Sequence, residues 1–572
     1  MMSVNALNLS RKCGVPVMTR GFSSISKFPK VKDGQVEEFL DTQAKEISEW
    51  WESERFKNIK RTYTPLDVAK HRGSFGNDVT YPSSIQAKRL FDTLEYKFQN
   101  RLPVHTLGVI DPVQMSQLAR CDGIDVAYIS GWACSSTMVG STNEVSPDFG
   151  DYPYDTVPNQ VERIFKAQQM HDRKQLLKFS ETGEASNRVD YLKPIIADAD
   201  MGHGGTTTVM KLAKLFAEKG AAGIHLEDQL HGGKRCGHLG GAVIVPTSTH
   251  ISRLVATRLQ WDIMGTENLV IARTDSCNSK LLSSNVDPRD HEHIQGVITK
   301  DAKPWSEILC ELENADASSA EISQAEASWY ANNKLFTFEE AVEQQLSESK
   351  VSAFKKECEN FLQSNNKGYI SIKEYKSIAR SVNGGSDIVF DWDAPRTKEG
   401  FYMFKGGMKA AIQRSLAFSP YADLLWLETK TPDLAQAKSF SKLIHDKYPH
   451  AKLVYNLSPS FNWSAHGYND QQLQSFIWDL AKEGFVLQLV SLAGLHTDAS
   501  SFWKLAKRYQ TEGMRAYVEE VQRPEKESGC DVLTHQQWSG AEYVDSIMQL
   551  VQNGSSSQTL STKGDSFTET QF

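Results

Sequence analysis

Eight short apolar runs, each ending in polar residues and several separated by helical stretches, predict an α/β chain closed into a (β/α)8 barrel. The runs are His105–Ile110, Asp125–Ile129, Pro194–Ala197, Ala222–Leu226, Leu269–Ala272, Leu424–Leu427, Leu453–Tyr455 and Phe485–Val490. Near-continuous apolarity marks parallel strands covered on both faces, since a half-exposed strand would alternate. Helical patterns at Val209–Lys219 and Leu434–His445 supply crossovers between runs. With 572 residues, 40% of them hydrophobic, the chain can bury a large core and more than one compact unit.

In chain order, residues 1–32 carry Arg11, Lys12, Arg20, Lys27, Lys30 and Lys32 and no acid. This is the composition of a mitochondrial targeting segment, with Arg20-Gly21-Phe22-Ser23 suggesting cleavage after Phe22. Residues 33–100 read as helices preceding the barrel. The barrel itself is expected over 101–279 and 391–499, interrupted by a mostly helical insertion at 280–390. Patterns at Thr337–Ser349 and Val351–Gln363 are the insertion's clearest helices, and residues 500–572 read as a helical tail suited to packing on a neighbouring subunit.

Composition excludes several functions. A net charge of −8 and a pI near 6.1 repel nucleic acid, and no basic run offsets them. No stretch approaches 18 apolar residues, so a membrane-spanning helix is not expected. Eight scattered cysteines without a CxxC pair argue against a disulfide framework or structural zinc and for a reducing compartment. Met201-Gly202-His203-Gly204-Gly205 lacks the Lys-Ser/Thr of a phosphate loop. Asn365 to Glu374 faintly follows a calcium loop, but Gln363 and Lys367 stand where oxygen ligands belong.

In this fold chemistry gathers at the carboxyl ends of the strands. Strand two runs into Ser130-Gly131-Trp132, three into Asp198 and Asp200, four into Glu227, and five into Arg273. Strand six gives Glu428, seven Asn456, Ser458 and Ser460, and eight Ser491. Asp148, Asp198, Asp200 and Glu227 are hard oxygen donors suited to Mg2+, with Mn2+ as a substitute. Arg273 suits a ligand carboxylate, or else a salt bridge to Asp275. Cys236 lies in Lys234-Arg235-Cys236-Gly237-His238, where neighbouring positive charge favours the thiolate; the alternative is a packed core thiol. Together these suit carbon–carbon cleavage of a chelated hydroxy acid through an enediolate-like intermediate.

The Lys-Arg-Cys-Gly-His motif is accompanied by Tyr128-Ile129-Ser130-Gly131-Trp132, Ile196-Ala197-Asp198-Ala199-Asp200, Ile271-Ala272-Arg273-Thr274-Asp275 and Asn456-Leu457-Ser458-Pro459-Ser460-Phe461-Asn462-Trp463. This set, running from about residue 35 to 550, resembles the isocitrate lyase and phosphoenolpyruvate mutase superfamily. The resemblance implies a Mg2+-dependent lyase acting on a small tricarboxylate, usually a tetramer with exchanged C-terminal helices. It implies Cys236 as the acid/base on the succinate carbon, with His238 beside it. Asp198 would be the principal metal ligand, supported through water by Asp148, Asp200 and Glu227. Substrate would be held by Ser130, Gly131, Trp132, Gly237, His238, Arg273, Asn456, Leu457, Ser458, Pro459, Ser460 and Ser491. Tyr128 and Glu428 are both candidates for the hydroxyl proton.

Three positions depart from the isocitrate-specific pattern: Leu457 replaces Cys, Leu489 replaces Phe and Ser491 replaces Thr. Two remove volume and one adds it, so a niche for one extra methyl is expected, worth roughly 1–3 kcal/mol or about 10–200-fold in selectivity. These departures and the basic leader resemble the fungal 2-methylisocitrate lyases of the mitochondrial matrix, which yield pyruvate and succinate in propionate disposal. An isocitrate lyase giving glyoxylate, and a catalytically silent assembly subunit, are the alternatives.

Overall fold

The computed structural model describes residues 34–75, 79–138, 146–183, 186–237, 239–365, 367–554, 556–559, 561, 562 and 572. Residues 1–32, where the targeting segment is expected, lie outside them. Eight strands close a parallel barrel in chain order: β1 (Val104–Gly108), β2 (Val126–Ile129), β3 (Ile195–Asp198), β4 (Gly223–Glu227), β5 (Leu269–Thr274), β6 (Leu424–Leu427), β7 (Lys452–Asn456) and β8 (Leu487–Val490). Val104 pairs with Leu487 where the last strand meets the first. β2 to β7 are buried along their whole length, as continuous apolar runs demand.

Two apolar layers share each strand because successive side chains point to opposite faces. Outward residues such as Ile129, Ile224, Leu425 and Leu453 pack against the surrounding helices. Inward residues such as Tyr128, Ile271, Trp426 and Leu489 fill the barrel interior, and Leu90 and Leu94 of the helix Pro82–Gln99 join them from the amino end. That helix plugs the floor. Beside it, Asp423 is bound by Arg55 and Arg258, each at 2.5 Å, and by the Val270 amide at 2.8 Å.

A three-stranded sheet of Val243–Ile244, Leu281–Leu282 and Tyr402–Met403 lies outside the barrel. Sequence reasoning did not foresee it, since two-residue strands are too short to show a period. Five helices between Trp305 and Val382 bury two small cores of their own, around Phe338, Phe354 and Tyr375 and around Trp305 and Trp329. Three of those helices open with capping boxes. In the third, Glu374 accepts from the Ser371 amide at 2.8 Å, which ties up the side chain a calcium loop would use.

After β8 the helix Ala493–Glu512 starts the tail, which folds back so that Trp538 donates to Ser116 at 3.0 Å and Asp531 pairs with Arg120 at 3.2 Å. The tail exposes Phe502 (69%), Trp503 (67%), Leu550 (81%) and Val551 (73%). Among the described residues no helix is long and apolar enough to cross a membrane.

Candidate active site

A cavity of about 250 Å3 opens at the carboxyl ends of the strands. It is lined by Tyr128, Ser130, Trp132, Asp148, Asp198, Cys236, Gly237, Arg273, Glu428, Asn456, Ser458, Pro459, Ser460 and Ser491, fourteen of the residues singled out from sequence. Cys236 and Asp198 therefore face one chamber. His238 lies outside the described residues. Gly131, Asp200 and Glu227 stand behind the wall. The Gly131 amide donates to Asp198 Oδ2 at 3.0 Å, and a Cβ there would sit 2.8 Å from Tyr152 Oη and 3.0 Å from that carboxylate. A Cβ on Gly237 would meet Glu428 Cγ at 2.7 Å. Both positions need glycine for close approach.

The carboxylates converge because β2, β3 and β4 are neighbours and their ends release turns rich in acid. Asp198 accepts from the Asp200 amide at 2.9 Å, and Asp148 and Asp200 both hold positive φ, which aspartate tolerates better than most residues. Lys234 Nζ lies 2.7 Å from Asp148 Oδ1, pairs closely with Asp200, and is 3.7 Å from Glu227. Tyr152 and His203 also donate to Asp200. Glu227 is fully buried, and neither of its oxygens has a hydrogen-bond partner among the described residues; Arg273 stands 3.3 Å away.

Burial, which disfavours the anion, pushes Asp148 up to about 7, with Asp200 and Asp198 adding to it and Lys234 opposing. Burial raises Glu227 well above the usual carboxylate range against Lys234 and Arg273. Asp200 goes the other way: burial would raise it, but Lys234 and His203 outweigh that. The cluster thus carries more acid than its cations neutralise. Its oxygen-only donors, with His203 and His225 behind them on Asp200 and Asp198, fit a hard divalent cation. Among the described residues no three of these side chains already surround one point, since Lys234 holds the inner ones together.

Three expectations change. Lys234 and Arg235 flank Cys236 in sequence, yet Lys234 turns into the carboxylates and Arg235 stacks over Phe149 at 4.6 Å while donating to the Lys234 carbonyl. Chain neighbours point different ways, so their charges are not aimed together. Leu457 does not line the cavity; it packs outward on the helix layer, because strand alternation turns it away from Asn456 and Ser458. Leu489 lies in the interior layer with Tyr128 and Trp426, so of the three departures only Ser491 reaches the chamber.

Arg273 makes the salt bridge that was its alternative, binding Asp275 at 2.9 and 3.1 Å, while also facing the cavity over Trp426. Trp426, Leu492 and His496 line the chamber and were missed. Trp426 was legible as the inward residue two before Glu428, to which it donates at 2.9 Å. His496 had no strand-end signal, since it sits on the helix that follows. Tyr128 is held by His225 at 2.8 Å, a histidine that burial keeps neutral to about 4.

Residues 43–572 match the model of the isocitrate lyase family. The chain is 67% identical over 537 residues to a mitochondrial 2-methylisocitrate lyase of Saccharomyces cerevisiae, covering 94% of this chain and 93% of that protein. It is 52% identical over 547 residues to a mitochondrial 2-methylisocitrate lyase of Hypocrea atroviridis, covering 95% and 96%. An isocitrate lyase of Saccharomyces cerevisiae is 43% identical over 542 residues, covering 93% and 96%.

Proposed function

The chain belongs to the isocitrate lyase family, and we propose that its barrel mouth cleaves 2-methylisocitrate to pyruvate and succinate. The observation that carries the chemistry is that Cys236 and Asp198 line one cavity. The preference for the methylated substrate is supported by the likeness to the two 2-methylisocitrate lyases and, among the sequence departures, by Ser491 at the wall.

In this reading Asp198 would be the principal Mg2+ ligand, with Asp148, Asp200 and Glu227 supporting through water and Mn2+ able to substitute. The ion, when bound, supplies charge neutralisation for the substrate's hydroxy-acid oxygens. Arg273, Asn456, Ser458 and Ser460 donate to the carboxylates of the other end. Glu428 takes the hydroxyl proton: both it and Tyr128 line the chamber, but Glu428 is a carboxylate acceptor, whereas burial keeps the Tyr128 hydroxyl protonated. The carbon–carbon bond then breaks, its electrons pass to the succinate fragment, and the former hydroxyl carbon becomes the ketone of pyruvate. Cys236 delivers its S–H proton to the succinate carbon.

We place the chain in the mitochondrial matrix, on the acid-free basic leader and the location given in both relatives' names. A homotetramer, with tails exchanged, is supported by the apolar residues the tail exposes. Cleavage rates with 2-methylisocitrate and isocitrate, with and without Mg2+, test the reading. We expect kcat/KM to favour the methylated substrate by about 10–200-fold. Equal or greater efficiency with isocitrate overturns the substrate assignment, and no turnover of either overturns the enzyme.

A further inference from the structure

We propose that the flank of the barrel carries a second binding site, for a nucleoside phosphate, where the insertion meets the helix Met408–Phe418. This site does not rest on the lyase reading. A cavity of about 400 Å3, larger than the catalytic chamber, opens there between pieces of chain distant in sequence. Its walls bring together Lys60, Arg289, Lys367 and Lys447 with the rings of Tyr369, Tyr421 and Tyr448.

Besides Arg414, which Asp228 and Asp290 engage, four cations stand around this one cavity in a chain of net charge −8. Two of them are uncompensated: among the described residues neither Lys60 nor Lys447 has a carboxylate within ion-pair distance. Arg289 pairs with Asp287 at 2.6 Å, and Lys367 with Glu374 at 3.3 Å. One acid lines the cavity, Asp290, and it is neutralised within the lining by Arg414 at 2.9 Å and by the Thr247 amide and hydroxyl at 2.9 and 2.7 Å. The accessible potential is therefore positive.

The tyrosines decide the class of anion. Lys60 Nζ stands 5.8 Å from the Tyr421 ring centre and Lys447 Nζ 5.6 Å from that of Tyr448, so each ammonium sits beside an aromatic surface. Lysine serves phosphate as a point charge, and an aromatic ring offers a stacking face to a base without requiring a particular one. Phosphate oxygens among the four cations, with a base against a tyrosine, use both features at once. A bare phosphate would use only the first. The segment Lys367-Gly368-Tyr369, which fails as a calcium loop because it carries a cation, contributes that cation and a ring here.

Isothermal titration of the full chain, saturated with Mg2+, against ATP and tripolyphosphate tests the site. We expect ATP to bind, Lys60→Ala/Lys447→Ala to weaken it by about tenfold or more, and Tyr421→Ala to weaken ATP but not tripolyphosphate. Lyase rates without nucleotide should be unchanged in the double variant, whose side chains touch no residue of the catalytic chamber. Absence of ATP binding by the wild-type chain overturns the proposal. So does ATP binding that the double variant leaves unaltered, which would put the nucleotide elsewhere. Tripolyphosphate binding as tightly as ATP overturns the nucleoside part.

Discussion

At the floor of the barrel Asp423 divides its oxygens between Arg55 and Arg258, whereas at the mouth four carboxylates face Lys234 and the edge of Arg273. Both clusters are buried, and both sit at the ends of the same parallel strands. Burial would raise Asp423, yet its two arginines win and hold it below the ordinary 3.8. The same burial leaves Asp148 near 7 and raises Glu227 well above its ordinary range, because the mouth has too few cations to hold every acid down as they hold Asp200. A balanced cluster holds a fold together. An unbalanced one destabilises it unless a further positive charge arrives, and that arrival is what a metal-dependent site requires.

The largest expected effect separates chemistry from folding. Cys236→Ser should lower kcat by about a hundred- to ten-thousandfold without shifting the melting temperature, because a hydroxyl is far too weak an acid to share protons near neutral pH. Near-normal turnover would move the proton donor elsewhere. Next, Asp423→Ala should cost about 3–5 kcal/mol in urea unfolding, since it leaves two buried guanidinium groups without their partner. Activity per folded molecule should survive. If Asp198→Ala destabilises the metal-free chain as much, the contrast between the two ends fails.

Metal addition sharpens the comparison further. Chelation should abolish turnover, and Mg2+ at about a hundred times its dissociation constant should restore it and stabilise the fold by about 2.7 kcal/mol. Glu227→Gln should be neutral or stabilising without metal, because it removes an acid that has no hydrogen-bond partner. A large loss of stability in the metal-free variant would show that Glu227 is already satisfied. The smallest effect is a flat line. Asp423 stays ionised in the folded state below 3.8, so the stability gap between the wild-type chain and Asp423→Asn should not vary from pH 5 to 8. The gap should shrink only as pH falls below 3.8, where the unfolded chain takes up the proton first. A gap that narrows by pH 5 would mean the floor is no better balanced than the mouth.

Much of this was readable in the chain. Parallel strands announce themselves by unbroken apolar runs, and polar residues just past them mark the catalytic end, which is why Ser130, Asp198, Arg273, Glu428, Asn456 and Ser491 fell into place together. What sequence could not supply was direction. Lys234 neighbours Cys236 along the chain but serves acids contributed by β3, β4 and the turn before Gly150. Leu457 shows the opposite lesson: period-two alternation between Asn456 and Ser458 already implied that it points outward, and a family comparison obscured the simpler rule. His496 depends on how the helix after β8 is set over the opening, which no local pattern encodes.

The plug formed by Pro82–Gln99, with the stacked interior of Tyr128, Trp426 and Leu489 above it, leaves the barrel no passage through its axis. Whatever enters and whatever departs must use one doorway. Two fragments made in a dead-end room leave in a fixed sequence, the one nearer the door first. The fragment lodged deeper then blocks re-entry until it goes, so the two products should inhibit by different patterns against the same substrate.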